Sequence, residues 1–146
     1  MAFISLNLII VSTGDEILKH VSKKAKKVRK ELGPYEYEDD SFDLAYFKMR
    51  KIGDNQYYQG EYDSDEDERF GNGAVVAADG AIYEGTCGGP GRLIHASGDV
   101  YDGEWNEEKA EGEGTFRTVD GQEYIGEWEA DRKHGHGVET WQDGSK

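Results

Sequence analysis

Four places along the chain group side chains that do chemistry in other proteins. Glu104 with Glu107, and Glu127 with Glu129, are close carboxylate pairs of the kind used in acid–base catalysis. "KHGHG" sets His134 and His136 in an H-x-H arrangement that would suit a metal. "DSDEDE" gives Asp63, Asp65 and Asp67 the alternate spacing of a calcium loop, and Cys87 is the only thiol. Each falls short of a specific requirement. The acid pairs recur with a longer sequence period, as soluble strand surface does. The histidines have no cysteine or third histidine near them in sequence. A calcium loop starting at Asp63 needs glycine at its sixth position and glutamate at its twelfth, where Glu68 and Ala74 stand. Ser64, followed by Asp65-Glu66-Asp67, suits an acidophilic kinase. Cys87 occupies a position that the repeat otherwise gives to a ring, so it is expected to pack rather than react. No Ser–His–Asp or Cys–His set and no phosphate loop is present. The sequence therefore predicts no enzyme, no cofactor and no bound metal.

The elements that carry these residues must be unusual. Leu, Ile, Val and Phe make up about a fifth of the 146 residues, and the net charge is −14. That composition usually marks disorder, yet nine Tyr, three Trp and 20 Gly stand against it. Nearly half of the large apolar residues other than Trp, Tyr and Met fall in the first 33 positions. The remainder is too poor in them for an ordinary aliphatic core, so its burial should rest mainly on rings, each worth about 150–250 Å². Charge divides at the same point. Residues 1–33 carry seven basic and three acidic side chains, and residues 34–146 carry ten basic and 28 acidic. Such an acidic body repels phosphate, which argues against nucleic acid as a partner. A lone cysteine points to a reducing compartment. No apolar run approaches the roughly 20 residues of a membrane-spanning helix. "AFISLNLIIV" resembles the apolar part of a signal peptide, but no basic residue precedes it and a Lys-rich segment follows, so secretion is not expected.

The period explains the rings. Tyr101-x-Gly103-x-Trp105 returns as Tyr124-x-Gly126-x-Trp128, 23 residues later. Gly112-x-Gly114 and Gly135-x-Gly137 follow, then Asp120-Gly121 and Asp143-Gly144. Tyr83-x-Gly85-x-Cys87 and Tyr58-x-Gly60-x-Tyr62 begin two earlier units, one shortened by five residues and one lengthened by two. Both changes fall between the aromatic and the glycine pair, which reads as a loop. Asp54-Asn55, Asp79-Gly80 and Ser97-Gly98 are tight-turn marks like the later Asp-Gly pairs. Each unit is thus a β-hairpin. Strand alternation puts Tyr, Gly and Trp on one face, where each glycine leaves bare backbone for a ring to cover. Tyr58, Tyr62, Tyr83, Tyr101, Trp105, Tyr124 and Trp128 form that face.

"YDGEWNEEKAEGEGTFRTVDGQ" and "YIGEWEADRKHGHGVETWQDGS" resemble MORN repeats (membrane occupation and recognition nexus), whose pattern is Y-x-G-x-W, a polar loop often ending in H-G-x-G, then D-G. The resemblance covers residues 58–144, with a half unit at 45–57; Tyr62 and Cys87 depart from it by replacing Trp. It implies a mainly β fold of consecutive antiparallel hairpins in an elongated, twisted, trough-like sheet, and no single activity. Members that are enzymes, such as plant phosphatidylinositol-phosphate kinases and a lysine methyltransferase, carry their catalytic domains outside the repeats.

Before the repeats, Thr13 and Glu16 fit a capping box, and Ile17, Leu18, Val21, Ala25, Val28 and Leu32 form an apolar stripe at helical spacing. A helix over about 14–32 is predicted, ended by Gly33-Pro34. Lys23, Lys24, Lys26, Lys27, Arg29 and Lys30 crowd its second half. It either packs on its own domain, docks a partner, acidic tubulin tails or anionic lipid, or balances the acidic body. The organisation expected is a basic arm over 1–33, an acidic linker over 34–44 and a repeat domain over 45–146, with units starting at 58, 83, 101 and 124.

The sequence ends on the turn before a further Tyr-x-Gly-x-Trp. The last return strand is then a sheet edge, with Trp128, Val138 and Trp141 unshielded and open to another protein or another copy of the chain. The leading expectation is a non-catalytic scaffold that joins other subunits through this edge and the arm. Small repeat-only members resemble parts of ciliary radial spokes and cytoskeletal rings, which places the expectation in the cytoplasm, at the cytoskeleton or axoneme. The alternative is a membrane-associated adaptor that binds lipid through the arm.

Overall fold

The computed structural model describes residues 16–39 and 41–146. Nine strands run through it: β1 (Arg50–Gly53), β2 (Gln56–Asp63), β3 (Glu68–Val76), β4 (Ile82–Thr86), β5 (Pro90–Ile94), β6 (Val100–Asn106), β7 (Lys109–Arg117), β8 (Glu123–Glu129) and β9 (Arg132–Thr140). They form one open antiparallel sheet in chain order. The expected fold class, mainly β with consecutive hairpins after an N-terminal helix, is what the chain adopts.

The turns dictate this meander. Gly80, Gly98, Gly121 and Gly144 take φ of 89°, 100°, 91° and 83°, and Asn55 takes 55°. These are the positions that the tight-turn marks select, and positive φ is free of steric cost for glycine. At the opposite hairpin ends, Glu107–Glu108 and Ala130–Asp131 each hold two successive positive φ values, the twist that matches a two-residue hairpin. The polar loops expected before the glycine pairs shrink to these two residues. Residues 132–138 are exposed throughout yet paired in β9, so their polarity reflects solvent contact rather than departure from the sheet.

The two faces have different cores. On one lie Tyr101, Ala110, Tyr124 and Trp128, packed with Leu93, Trp105 and Phe116. The alternate positions of β3 to β6, Ala74, Val76, Ile82, Ile94 and Val100, form an aliphatic core with Ile17, Val21 and Ala25 of the arm. The expectation that burial would rest mainly on rings is corrected here. Few aliphatics suffice because the arm and the sheet pool theirs in one layer.

The arm is not one helix. A 3₁₀ turn spans Ile17–His20, and helix α1 runs Lys23–Leu32. Ser22 divides them. Its N–H donates to Gly80 O (2.8 Å), and its hydroxyl donates to Ala96 O (2.9 Å) while accepting from Ala25 N (3.1 Å). Two sheet turns therefore hold the residue that caps α1, and the helical period runs across the break without recording it. Thr13, of the expected capping box, lies outside the described residues. Gly33 (φ 84°) ends α1 as expected.

Arg29 departs from its neighbours. Lys23, Lys24, Lys26, Lys27 and Lys30 are exposed, whereas Arg29 turns inward and grips Glu84 with Nε (3.1 Å to each oxygen) and Nη2 (2.7 Å). Arg92 Nη2 joins the same carboxylate at 3.1 Å and also reaches Gly33 O at 2.9 Å. A helix stripe can bury an arginine only where an acid awaits it, and Glu84, 55 residues away, supplies the acid. Beyond α1, buried Gln59 donates from Nε2 to Leu44 O and Phe47 O, both 2.9 Å. Tyr37 donates to Gly73 O at 3.1 Å.

Candidate functional site

The ring face is built from one unit used four times. Tyr58, Tyr83, Tyr101 and Tyr124 each donate a phenolic hydrogen to the carbonyl three residues ahead, at 2.6–3.0 Å. That bond lays each ring across the strand. The second glycine of each pair, on the neighbouring strand, lies under it: a Cβ on Gly73, Gly91, Gly114 or Gly137 would strike the ring of its tyrosine. The glycines inside the Tyr-x-Gly motifs face those same glycines directly, as in Gly103↔Gly114 and Gly126↔Gly137. Backbone meets backbone there, with room for no side chain.

The tryptophans link one unit to the one before it. Trp105 Nε1 donates to Gly91 O and Trp128 Nε1 to Gly114 O, both at 3.1 Å. Trp105 meets Tyr83 and Tyr101 edge-on, with centroids 5.3 and 4.9 Å apart, and Trp128 meets Tyr101 and Tyr124 at 5.2 and 5.3 Å. Such contacts are worth about 0.5–1.5 kcal/mol each beyond burial. Tyr83, Trp105, Tyr101, Trp128 and Tyr124 are thus one continuous ladder. Trp128 is only 9 % exposed, so its expected place in an open partner-binding end is not met. It needed no later repeat, because its shield is the preceding one. Val138 and Trp141 are exposed.

The carboxylates dismissed as surface have structural work. Glu61, Glu104 and Glu127 follow the motif glycine in three units. Each accepts the backbone N–H that follows a positive-φ glycine across the hairpin: Asn72 N (2.6 Å), Glu113 N (3.2 Å) and His136 N. Those glycines, Gly71, Gly112 and Gly135, have φ of 53–68°, and the strand register shifts beside them. A bulge leaves an unpaired N–H, and the glutamate takes it. The bond from His136 N holds the Glu127 carboxyl below the usual range. The signal was available in sequence as a Gly-Glu pair in three units out of four.

The remaining candidates disperse. His134 Nδ1 lies 3.4 Å from Glu129 and His136 Nδ1 3.6 Å from Glu127, each beside its own carboxylate. Asp63 accepts from the N–H groups of Asp65 (2.8 Å) and Glu66 (3.1 Å), closing the acidic turn on itself. Among the described residues no three His, Cys, Asp or Glu side chains are placed to hold a metal ion. Tyr62 is half-buried, with the Arg50 guanidinium 4.2 Å from its ring centre and its hydroxyl on Asp67.

Cys87 differs from its expectation. It is exposed, with its sulfur 3.8 Å from Arg69 O. The ring expected at that position is missing, and a cavity of about 250 Å³ opens beside it, lined by Tyr58, Gly73, Tyr83, Leu93 and Trp105 among others.

With this geometry in place, comparison with known families is specific. The model of the MORN repeat matches residues 101–123 and 124–146, the two units whose hairpins, Glu-held bulges and Trp links are complete. No curated protein matches the chain. MORN repeats are commonly protein- or membrane-binding modules and are generally non-catalytic. Residues 101–146 are thus two MORN repeats, matched in sequence and complete as hairpins in the structure.

Proposed function

We propose that the chain is a non-catalytic scaffold subunit that joins other proteins in a larger cytoskeletal or ciliary assembly. The observation that supports this reading is an apolar strip exposed among the described residues. The described residues of the arm pack on the face opposite the rings as far as β6, and beyond it Ile125 and Val138 stand directly across from one another on β8 and β9, about half exposed. Trp141, just past the end of β9, is 44 % exposed. An apolar strip beside strongly polar surroundings fits a protein surface. Crosslinking mass spectrometry on the protein purified from its native cells tests the reading. Links from Lys133 and Lys146 to a stoichiometric cytoskeletal or axonemal protein are expected, and their absence overturns it.

One observation favours a second reading, an adaptor held to anionic lipid by the arm. Five exposed lysines share the outer side of α1. Co-flotation with anionic vesicles, lost on replacing Lys23, Lys24, Lys26, Lys27 and Lys30 by Gln, would move the function there. The acidic sheet opposes that outcome.

A further inference from the structure

The geometry points to the cavity beside Cys87 as a docking seat for a tryptophan side chain carried on a basic segment of another protein. It deepens the protein-binding reading and rests on it, but not on the β9 strip.

The occupant is written into the repeat. Gly91 and Gly114 stand fourteen residues before Trp105 and Trp128 and accept their indole N–H groups; Gly73 stands fourteen before Cys87. The backbone equivalence is direct, since Cys87 N donates to Gly71 O (2.8 Å) as Trp105 N donates to Gly89 O (3.2 Å). Tyr58 and Tyr83, the two rings that would flank an indole at position 87, both line the cavity, as Tyr83 and Tyr101 flank Trp105. The hairpin that carries Cys87 is the shortened one, so no other side chain of its own fills the gap. At about 250 Å³ the space falls below the roughly 300–1,000 Å³ of drug-sized sites and matches a single large side chain.

The rim selects charge. The turn at 64–67 with Glu68 is exposed and acidic on one side, and Glu108, 85 % exposed, stands on the other. Arg50 and Lys51 stand beside the turn, and Arg69 opposes both sides. It bridges the seat, 5.7 Å from the Tyr58 ring centre and 3.2 Å from Glu108. An incoming lysine or arginine can take over Glu108 as the indole enters.

The probe is a short lysine-flanked peptide with one tryptophan, titrated onto the full chain by fluorescence anisotropy, with alkylation of Cys87 read in parallel. Binding is expected to weaken at least about ten-fold when the peptide tryptophan becomes alanine, as for a buried anchor. Saturating peptide should slow Cys87 alkylation about ten-fold. C87W fills the seat from within, abolishing binding and raising Tm, while C87S binds as the parent does. Equal binding of the alanine peptide, unprotected Cys87, or unchanged binding to a folded C87W overturns the proposal. A dimer of the chain that shields Cys87 and is dissolved by W141A would also overturn it, by making a second copy the occupant. Should C87W not fold, the alkylation and alanine-peptide results decide. Failure here leaves native crosslinks from Lys133 and Lys146 untouched, so the two readings fall separately.

Discussion

The two faces of the sheet are held by opposite strategies. The ring face uses bonds that close within a unit or between consecutive units: Tyr hydroxyl to a carbonyl three residues on, Trp N–H to a carbonyl fourteen residues back. The arm face uses bonds that span the chain, with separations of 55 for Arg29–Glu84 and 74 for Ser22–Ala96. The middle residue of Tyr-x-Gly shows the difference best. It is Gln59 beneath residues 44–47, Glu84 beneath α1, Asp102 at the margin and Ile125 half exposed beyond the described cover. The ring face repeats because its environment repeats. The other face varies because its cover does.

The largest break in this comparison should come from Glu84→Ala. It leaves Arg92 and Arg29 without their carboxylate, Arg92 nearly fully buried, and should cost about 3–5 kcal/mol in urea unfolding. Trypsin should then cut within 23–30 before the sheet unfolds. Gly114→Ala attacks the other face. The added Cβ would come within 2.7 Å of Tyr101 ring carbons, and overpacking of that kind costs about 1–3 kcal/mol. Proteolysis of the arm should not change. Tyr101→Phe removes only the hydrogen bond to Glu104 O, 3.0 Å long, for about 1 kcal/mol.

Alkali sharpens the contrast without a substitution. Burial, reinforced by Glu104, pushes the Tyr101 phenol up to about 12, and burial raises Tyr58 and Tyr83 as well. A phenol raised above its unfolded value of about 10 stabilises the fold fully below that pH and loses its contribution as pH rises toward 12. Circular dichroism should therefore show stability constant to about pH 10 and falling above it, with late phenolate absorbance from these rings.

What the sequence disclosed follows the same division. Turn glycines, hairpin order and rings over glycines were legible because each is set by neighbours within one period. Glu104 and Glu127 were legible in principle, but an exposed acid beside a bulge looks like any solvated acid until the positive φ of Gly112 and Gly135 is known. Ser22 and Arg29 were hidden for another reason. Their partners are Gly80, Ala96 and Glu84, and no local pattern ties a serine beside a helical stripe to turns as far as 74 residues on. Cys87 looked like a packed substitute for a ring. Its short side chain leaves the space between the Tyr58 and Tyr83 rings open.

The backward reach of the tryptophans gives the array a direction that matters during synthesis. As the chain leaves the ribosome, Tyr83 and Gly91 can form their hairpin while still lacking the indole that closes over them. Trp105 arrives with the next hairpin and completes it, then waits in turn beside Tyr101 for Trp128. Each addition lands on a prepared surface, so the ring face can assemble hairpin by hairpin as translation proceeds. The arm obeys a different clock. Made before the sheet, it has no seat until the turns at Gly80 and Ala96 and the acid at Glu84 exist. Its lysine-rich helix can dock only once β1 to β5 have been made.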